Sequence, residues 1–209
     1  LNQEGNIDRA VLKQVEQDLG LLNAQGLRVQ HIAINLSNQR LNCDDIVREF
    51  SELSVNRDQL SLELVESAFL DECDTKVGWT LSALRDLGFR LEIDDFGTGH
   101  ASVAGLFSVQ PDRLKIDRGL LKHALEDPAR RELFLLIARM GQTLGIEVTA
   151  EGVETLDHAR LACEAGCSML QGYLFGRPAP LVQLIEAGIF TRRLLVLDGT
   201  APSGGLRVG

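Results

Sequence analysis

The chain has 209 residues, of which 44% are hydrophobic and 24% are charged, a balance that suits one globular domain with a sizeable core. Its formal charge of −9 argues against general binding to DNA or RNA, but an anionic ligand could still bind beside metal ions or a lysine. No signal peptide heads the chain, and no apolar run approaches the ~20 residues that span a bilayer. We therefore expect a cytoplasmic location, including the cytoplasmic part of a larger membrane-bound protein.

Helical and strand patterns alternate along the chain, beginning with an amphipathic helix at residues 8–24. Apolar and period-two patterns predict six strands, at residues 31–37, 60–67, 89–96, 112–117, 146–153 and 169–176. Helical spacing predicts helices between and after them, at residues 43–55, 74–87, directly after Gly99, and at 128–144, 154–165 and 180–188. A segment rich in Gly, Ser and Pro follows, so we expect one domain over residues 1–190 and a flexible tail over 191–209.

The repeated strand-then-helix order indicates an α/β fold with a parallel sheet. Polar residues recur at or near the carboxyl end of each predicted strand, where TIM-barrel enzymes place their chemistry. An open doubly wound sheet is the alternative, but it would concentrate its ligand at one switch point. The sequence therefore favours a TIM-barrel-like (β/α) barrel variant.

The polar residues at the strand ends are mostly oxygen donors, without histidine or cysteine. In chain order they are Asn35, Glu63, Glu66, Asp94, Asp95, Lys115, Asp117, Glu151, Glu154 and Gln171. Hard divalent cations such as Mg²⁺ or Mn²⁺ prefer such ligands, whereas zinc prefers sulfur or imidazole. Two cations ~3.5–4 Å apart would suit hydrolysis of a phosphodiester.

Each of these residues also has a structural explanation when it is taken singly. Asn35 could cap a turn, Asp94 could cap the following helix, and Lys115 could be a solvated charge at a strand edge. Glu63 and Glu66 could be surface residues paired with arginine. Their recurrence at one end of successive strands favours a common site.

Six consecutive motifs resemble those of the EAL domain family, the bacterial cyclic di-GMP phosphodiesterases. In order they are INLS, LELVES, IDDFGTG, LKID, AEGVET and QGYLFGRPAP, and the match runs from about residue 1 to 188. The resemblance implies a TIM-barrel variant that binds two Mg²⁺ or Mn²⁺ ions per site and hydrolyses cyclic di-GMP to the linear dinucleotide. It also implies a homodimer.

The resemblance also assigns ligands to the two metal ions. Asn35, Glu63 and Asp94 match the first-metal ligands of the family. Asp94, Asp95 and Glu151 match the second-metal set.

Other positions match family residues with other roles. Lys115 matches the lysine that holds the attacking water, and Glu66 matches the glutamate that anchors the DFGTG loop and couples dimerisation to metal binding. Gln171 and Glu154 match further residues of the site. Three positions fall where the family approaches the guanine base or frames the pocket, namely Asp117, Arg177 and Pro178.

One family element is missing from the given sequence. The first barrel strand of the family carries the Glu-Ala-Leu signature, whose glutamate is another metal ligand, and this sequence starts at LNQEGNIDR. We expect an upstream segment to supply this strand, together with sensory or signalling domains. The main functional hypothesis is a metal-dependent cyclic di-GMP phosphodiesterase, and the alternative is an inactive receptor or regulatory domain that binds cyclic di-GMP.

Overall fold

The structure is a computed structural model that describes residues 3–27, 29, 31–65, 75–98, 103–189 and 207–208. The chain divides into two compact units, one of residues 1–93 and 100–111 and the other of residues 94–99 and 112–209. The third strand of the chain contributes residues to both units.

The first unit alternates helices with parallel strands. Its elements are α1 (Gln3–Ala24), β1 (Ile32–Leu36), α2 (Asn38–Leu41), α3 (Ile46–Ser51), a 3-10 turn (Arg57–Gln59), β2 (Leu60–Val65), α4 (Thr75–Asp86), the start of β3 (Arg90–Phe96) and α5 (Val103–Val109). The strands lie in the order β1-β2-β3. Residues 60–64 of β2 are all buried, which is typical of a parallel strand covered on both faces.

The second unit continues the same alternation from the end of β3. Its elements are β4 (Arg113–Ile116), α6 (Arg118–Ala124), α7 (Pro128–Leu144), β5 (Glu147–Ala150), α8 (Leu156–Glu164), β6 (Met169–Leu170), α9 (Leu181–Glu186) and β7 (Arg207–Val208). The strands follow the order β3-β4-β5-β6-β7, and the β4–β5, β5–β6 and β6–β7 pairs are parallel.

Short polar side chains cap the N-termini of several helices. Asp127 accepts hydrogen bonds from the backbone N–H groups of Ala129 and Arg130 at the start of α7, and Thr155 accepts one from His158 at the start of α8. Gly145 ends α7 in the left-handed conformation, at φ 72°, which favours glycine. Caps and breakers in the sequence therefore set the limits of the outer helices.

Several elements differ between the prediction and the structure. The sixth strand was expected at 169–176, but only Met169–Leu170 is a strand, because the backbone then turns and bonds to the loop after β5. Helices α2 and α6 were not predicted, and the expected helix at 43–55 is shorter, at Ile46–Ser51. Within the expected tail, β7 pairs with β6; residues 191–206 and 209 lie outside the described residues.

None of the helices in the described ranges combines the length and apolar character that a membrane span requires.

Candidate metal centre

Four charged side chains meet at the carboxyl ends of three neighbouring strands in the second unit. Asp94 and Asp95 lie at the end of β3, Lys115 lies on β4, and Glu151 directly follows β5. One carboxylate oxygen from each of Asp94, Asp95 and Glu151 lies within 4.8 Å of the others. The structure therefore groups four of the residues that the strand-end pattern predicted.

Backbone hydrogen bonds extend the sheet into this cluster. The N–H of Asp117 donates to the carbonyl of Phe96 at 3.2 Å, and the N–H of Glu151 donates to that of Ile116 at 3.2 Å. The N–H of Gln171 donates to the carbonyl of Ala150 at 2.9 Å. The residues that leave β4, β5 and β6 are thus held by the neighbouring strand, which fixes where their side chains begin.

Lys115 is the cation of the cluster. Its side chain is buried, and its Nζ lies 2.9 Å from Oδ1 of Asp94 and 2.7 Å from Oε1 of Glu151. A buried ammonium needs such partners, because desolvation of an unpaired charge is costly. The burial rules out the solvated edge lysine that the sequence left open.

The carboxylates of the cluster fit a divalent cation. Oδ1 of Asp94 is buried and makes no hydrogen bond of ordinary geometry to a described residue, although it lies close enough to Lys115 for an ion pair. Three carboxylates and one ammonium leave two negative charges unbalanced. An oxygen-only ligand set with this charge suits Mg²⁺ or Mn²⁺.

Asp95 turns the chain out of β3. It adopts a left-handed conformation, at φ 53°, which aspartate tolerates better than most residues. Desolvation and the negative charges of Asp94 and Asp117 raise the pKa of its carboxyl group, while Lys115 and Arg118 oppose the rise. Its exposed carboxylate therefore gains from a nearby cation.

Two of the predicted ligands lie side by side in the first unit. Asn35 of β1 and Glu63 of β2 are register partners of the parallel pair. Asn35 is exposed, whereas Glu63 is only 8% exposed. Their shared register supports a common role, and their part in binding a metal stays a prediction.

The remaining predicted residues have varied environments. Asp117 caps α6 by accepting a hydrogen bond of 2.8 Å from the N–H of Gly119. Glu154, Gln171 and Pro178 are exposed, and the guanidinium of Arg177 lies 4.5 Å from the ring centroid of Tyr173. Glu66 lies outside the described residues. The roles of these six residues stay predictions.

The sequence patterns missed two residues beside the cluster. Arg118 follows Asp117 at the start of α6, and recognition of Asp117 as a helix cap would have drawn attention to it. Thr149 is the register partner of Lys115, and its buried hydroxyl has no hydrogen-bond partner among the described residues. A threonine in a strand carries no signal that would distinguish this position.

The comparisons with known proteins agree with this arrangement. The EAL domain family matches residues 1–178. The chain is 34% identical over 184 residues to the Cyclic di-GMP phosphodiesterase NbdA of Pseudomonas aeruginosa, covering 86% of this chain and 23% of that protein. The chain thus spans about a quarter of the length of the curated relatives it matches.

Two solved structures show the same fold. The EAL domain of Mycobacterium smegmatis DcpA is 29% identical, with a TM-score of 0.82 over 89% of this chain and 85% of that one. The manganese and cyclic di-GMP complex of Klebsiella pneumoniae BlrP1 at pH 9.0 is 30% identical, with a TM-score of 0.72 over 82% of this chain and 45% of that one.

The chain is an α/β protein of the TIM-barrel type with an acidic cluster at the ends of its strands. The chain belongs to the EAL domain family. The fold class and the family that the sequence motifs predicted are both confirmed, and the family includes proteins named as cyclic di-GMP phosphodiesterases.

Proposed function

We propose that this chain is a metal-dependent phosphodiesterase that hydrolyses cyclic di-GMP to the linear dinucleotide pGpG. The observation that carries the proposal is the cluster of Asp94, Asp95 and Glu151 around the ammonium of Lys115. NbdA, a protein named as a cyclic di-GMP phosphodiesterase, and the BlrP1 complex with manganese and the dinucleotide support the choice of substrate and cofactor.

The carboxylates of Asp94, Asp95 and Glu151 would hold a divalent cation. The family resemblance assigns Asn35 and Glu63 to a further metal ion, so the proposal is for two Mg²⁺ or Mn²⁺ ions per site. When bound, the cations would lower the pKa of the attacking water and neutralise charge on the phosphodiester. Water adds to one phosphorus atom and the P–O3′ bond breaks, so the product carries a 5′-phosphate at one end and a 3′-hydroxyl at the other.

Lys115 would orient the attacking water. Its ion pairs with Asp94 and Glu151 keep the ammonium at the centre of the cluster. An ammonium only donates hydrogen bonds, so it holds the water by its oxygen and does not take its proton. Lys115 is therefore proposed as a positioning cation in the site.

The relatives are much longer than this chain, so we also propose that domains upstream of it regulate the activity. The homodimer, the role of Glu66 in coupling it to metal binding, and the cytoplasmic location stay predictions from the sequence.

The test is incubation of the protein with cyclic di-GMP and Mg²⁺ or Mn²⁺, with the linear product followed by chromatography. Asp95→Asn is the matched inactive variant, because asparagine also tolerates the left-handed backbone at this position but cannot supply a charged ligand. We expect turnover by the parent chain and a loss of at least about 100-fold in the variant.

A folded, cation-loaded chain that forms no product would contradict the proposal. Tight binding of cyclic di-GMP without product, and with the cations chelated, would instead indicate the receptor class.

A further inference from the structure

Arg118 occupies a specific place at the edge of the metal centre. It follows Asp117, which caps α6, and lies three positions after Lys115 at the carboxyl end of β4. It is therefore the first residue of α6, directly after the strand that carries Lys115.

A glycine brings the loop of Glu151 against the base of Arg118. Gly152 directly follows Glu151 and has a left-handed backbone, at φ 66°. A Cβ atom at Gly152 would overlap Cβ of Arg118 and would lie 3.2 Å from its Cα. The close approach requires glycine, and it ties the position of Arg118 to that of Glu151.

Arg118 carries an exposed positive charge. The side chain is exposed, and within the described ranges its guanidinium makes no hydrogen bond or ion pair. Arg113, five positions earlier, is in contrast buried and paired with Glu147. A cation in the first turn of a helix is electrostatically unfavourable, so helix formation gives no reason for an arginine here.

The surroundings of Arg118 are acidic. Asp117 precedes it in the chain, and Glu151 precedes the glycine that packs against its Cβ atom. Three carboxylates repel an anionic substrate, and the exposed guanidinium of Arg118 offsets that repulsion. The planar guanidinium also matches two oxygens of one phosphodiester, which a lysine does less well.

We propose that Arg118 binds an anionic phosphodiester group of the substrate. This inference rests on the proposed function of the same site. Arg118 contributes to substrate binding and does not move a proton, so its loss weakens binding in the ground state and the transition state alike.

The experiment compares Arg118→Gln, Arg118→Lys and Arg139→Gln in steady-state kinetics with cyclic di-GMP and Mn²⁺. Arg139 is the matched control, because it is exposed on α7, removes the same charge when replaced, and has no side-chain ion pair in the described part of the chain. We expect Arg118→Gln to raise KM about tenfold with little change in kcat, the effect of losing one charge-assisted contact. KM of Arg118→Lys should lie between that of the parent chain and that of Arg118→Gln. Arg139→Gln should have the kinetics of the parent chain.

The salt dependence gives a second readout that a structural role would not change. KM of the parent chain should rise more steeply with ionic strength than KM of Arg118→Gln. Equal kinetics in Arg118→Gln and Arg139→Gln, or an equal loss in Arg118→Lys and Arg118→Gln, would overturn the inference.

Calorimetry with cyclic di-GMP separates this inference from the proposed function. If the parent chain binds the dinucleotide without hydrolysing it, the proposed function fails, and an about tenfold weaker Kd in Arg118→Gln still supports Arg118 as a phosphodiester contact. If the parent chain neither binds nor hydrolyses the dinucleotide, both proposals are wrong.

Discussion

Lys115 is both a buried charge and a member of the candidate metal centre. The side chain is 3% exposed and lies between two carboxylates, so its replacement removes the partner of two acids together with the cation that we propose positions the water. We therefore expect replacement of Lys115 to lower both the stability of the fold and the rate of turnover. The two losses can be measured separately, because stability is measured without substrate.

The first prediction concerns Lys115 itself. Lys115→Ala should lower turnover by about 100-fold or more, in the range of a lost acid–base or water-positioning group. Lys115→Arg should not restore turnover, because a planar guanidinium cannot replace a compact ammonium between two carboxylates. A rate assay on both variants, with a thermal melt to verify folding, checks this; parental turnover in either folded variant would contradict the role.

The second prediction concerns Cys167. Burial, and the neighbouring Cys163 thiol, raise the pKa of the Cys167 thiol to about 12, and the side chain is 5% exposed. At pH 8 the native thiolate is about a thousandfold scarcer than that of an unfolded cysteine with a pKa near ~8.5. Mass spectrometry should find slow alkylation in native protein and fast alkylation in urea, whereas equal rates would show that Cys167 is accessible.

At the scale of elements, the loop after β3 depends on one glycine. Gly97 adopts φ 101°, and a Cβ atom there would lie 2.5 Å from Cδ1 of Leu120 on α6 and 3.3 Å from Cδ1 of Ile137 on α7. The turn after Asp95 can therefore pack against these helices only without a side chain at this position.

The third prediction pairs two glycine substitutions with opposite expected signs. Gly97→Ala should destabilise the protein by about 1–3 kcal/mol or more, through backbone strain and overlap. Gly78→Ala, within α4 and with no atom within 4 Å of the new Cβ, should stabilise it by about 0.5–1 kcal/mol. Urea unfolding measures both, and equal stabilities of the two variants would contradict the argument.

Local sequence patterns predict helices and strands well where the spacing of apolar residues alone determines the element. The strands at β1 to β5 and helix α7 follow period-two and 3.6-residue patterns, and α7 spans the predicted residues 128–144. The early end of β6 does not follow from such a pattern. There the backbone bonds to Val153 of another loop and Gly172 packs against the Val153 backbone, and both are long-range contacts.

The same distinction holds for the site. Alternation placed Asp94, Lys115 and Glu151 near strand ends, and parallel strands bring such ends together. The sequence could not predict that one ammonium would pair with two of these carboxylates, because that depends on side-chain rotamers across three strands. Nor could it predict the left-handed backbone of Asp95, which depends on packing of the following turn.

At the scale of the whole molecule, cation binding should stabilise the fold. The fourth prediction is that Mn²⁺ or Mg²⁺ raises the melting temperature in a concentration-dependent way, and that excess chelator reverses the rise. A cation at 100 times its Kd adds about 2.7 kcal/mol when it binds only the folded state. The Asp95→Asn variant should show a much smaller rise, and an identical rise would place the binding elsewhere.

Helix α6 supports two loops of the second unit at once. Leu120 meets the turn at Gly97 after Asp95, and Arg118 meets Gly152 after Glu151. A mutation that shifts this helix would therefore move both loops together, so the positions of the two loops are coupled. Among natural variants of this chain, we therefore expect glycine to persist at 97 and 152 whatever residues stand at 118 and 120, because φ is positive at both glycines and a side chain there would be strained.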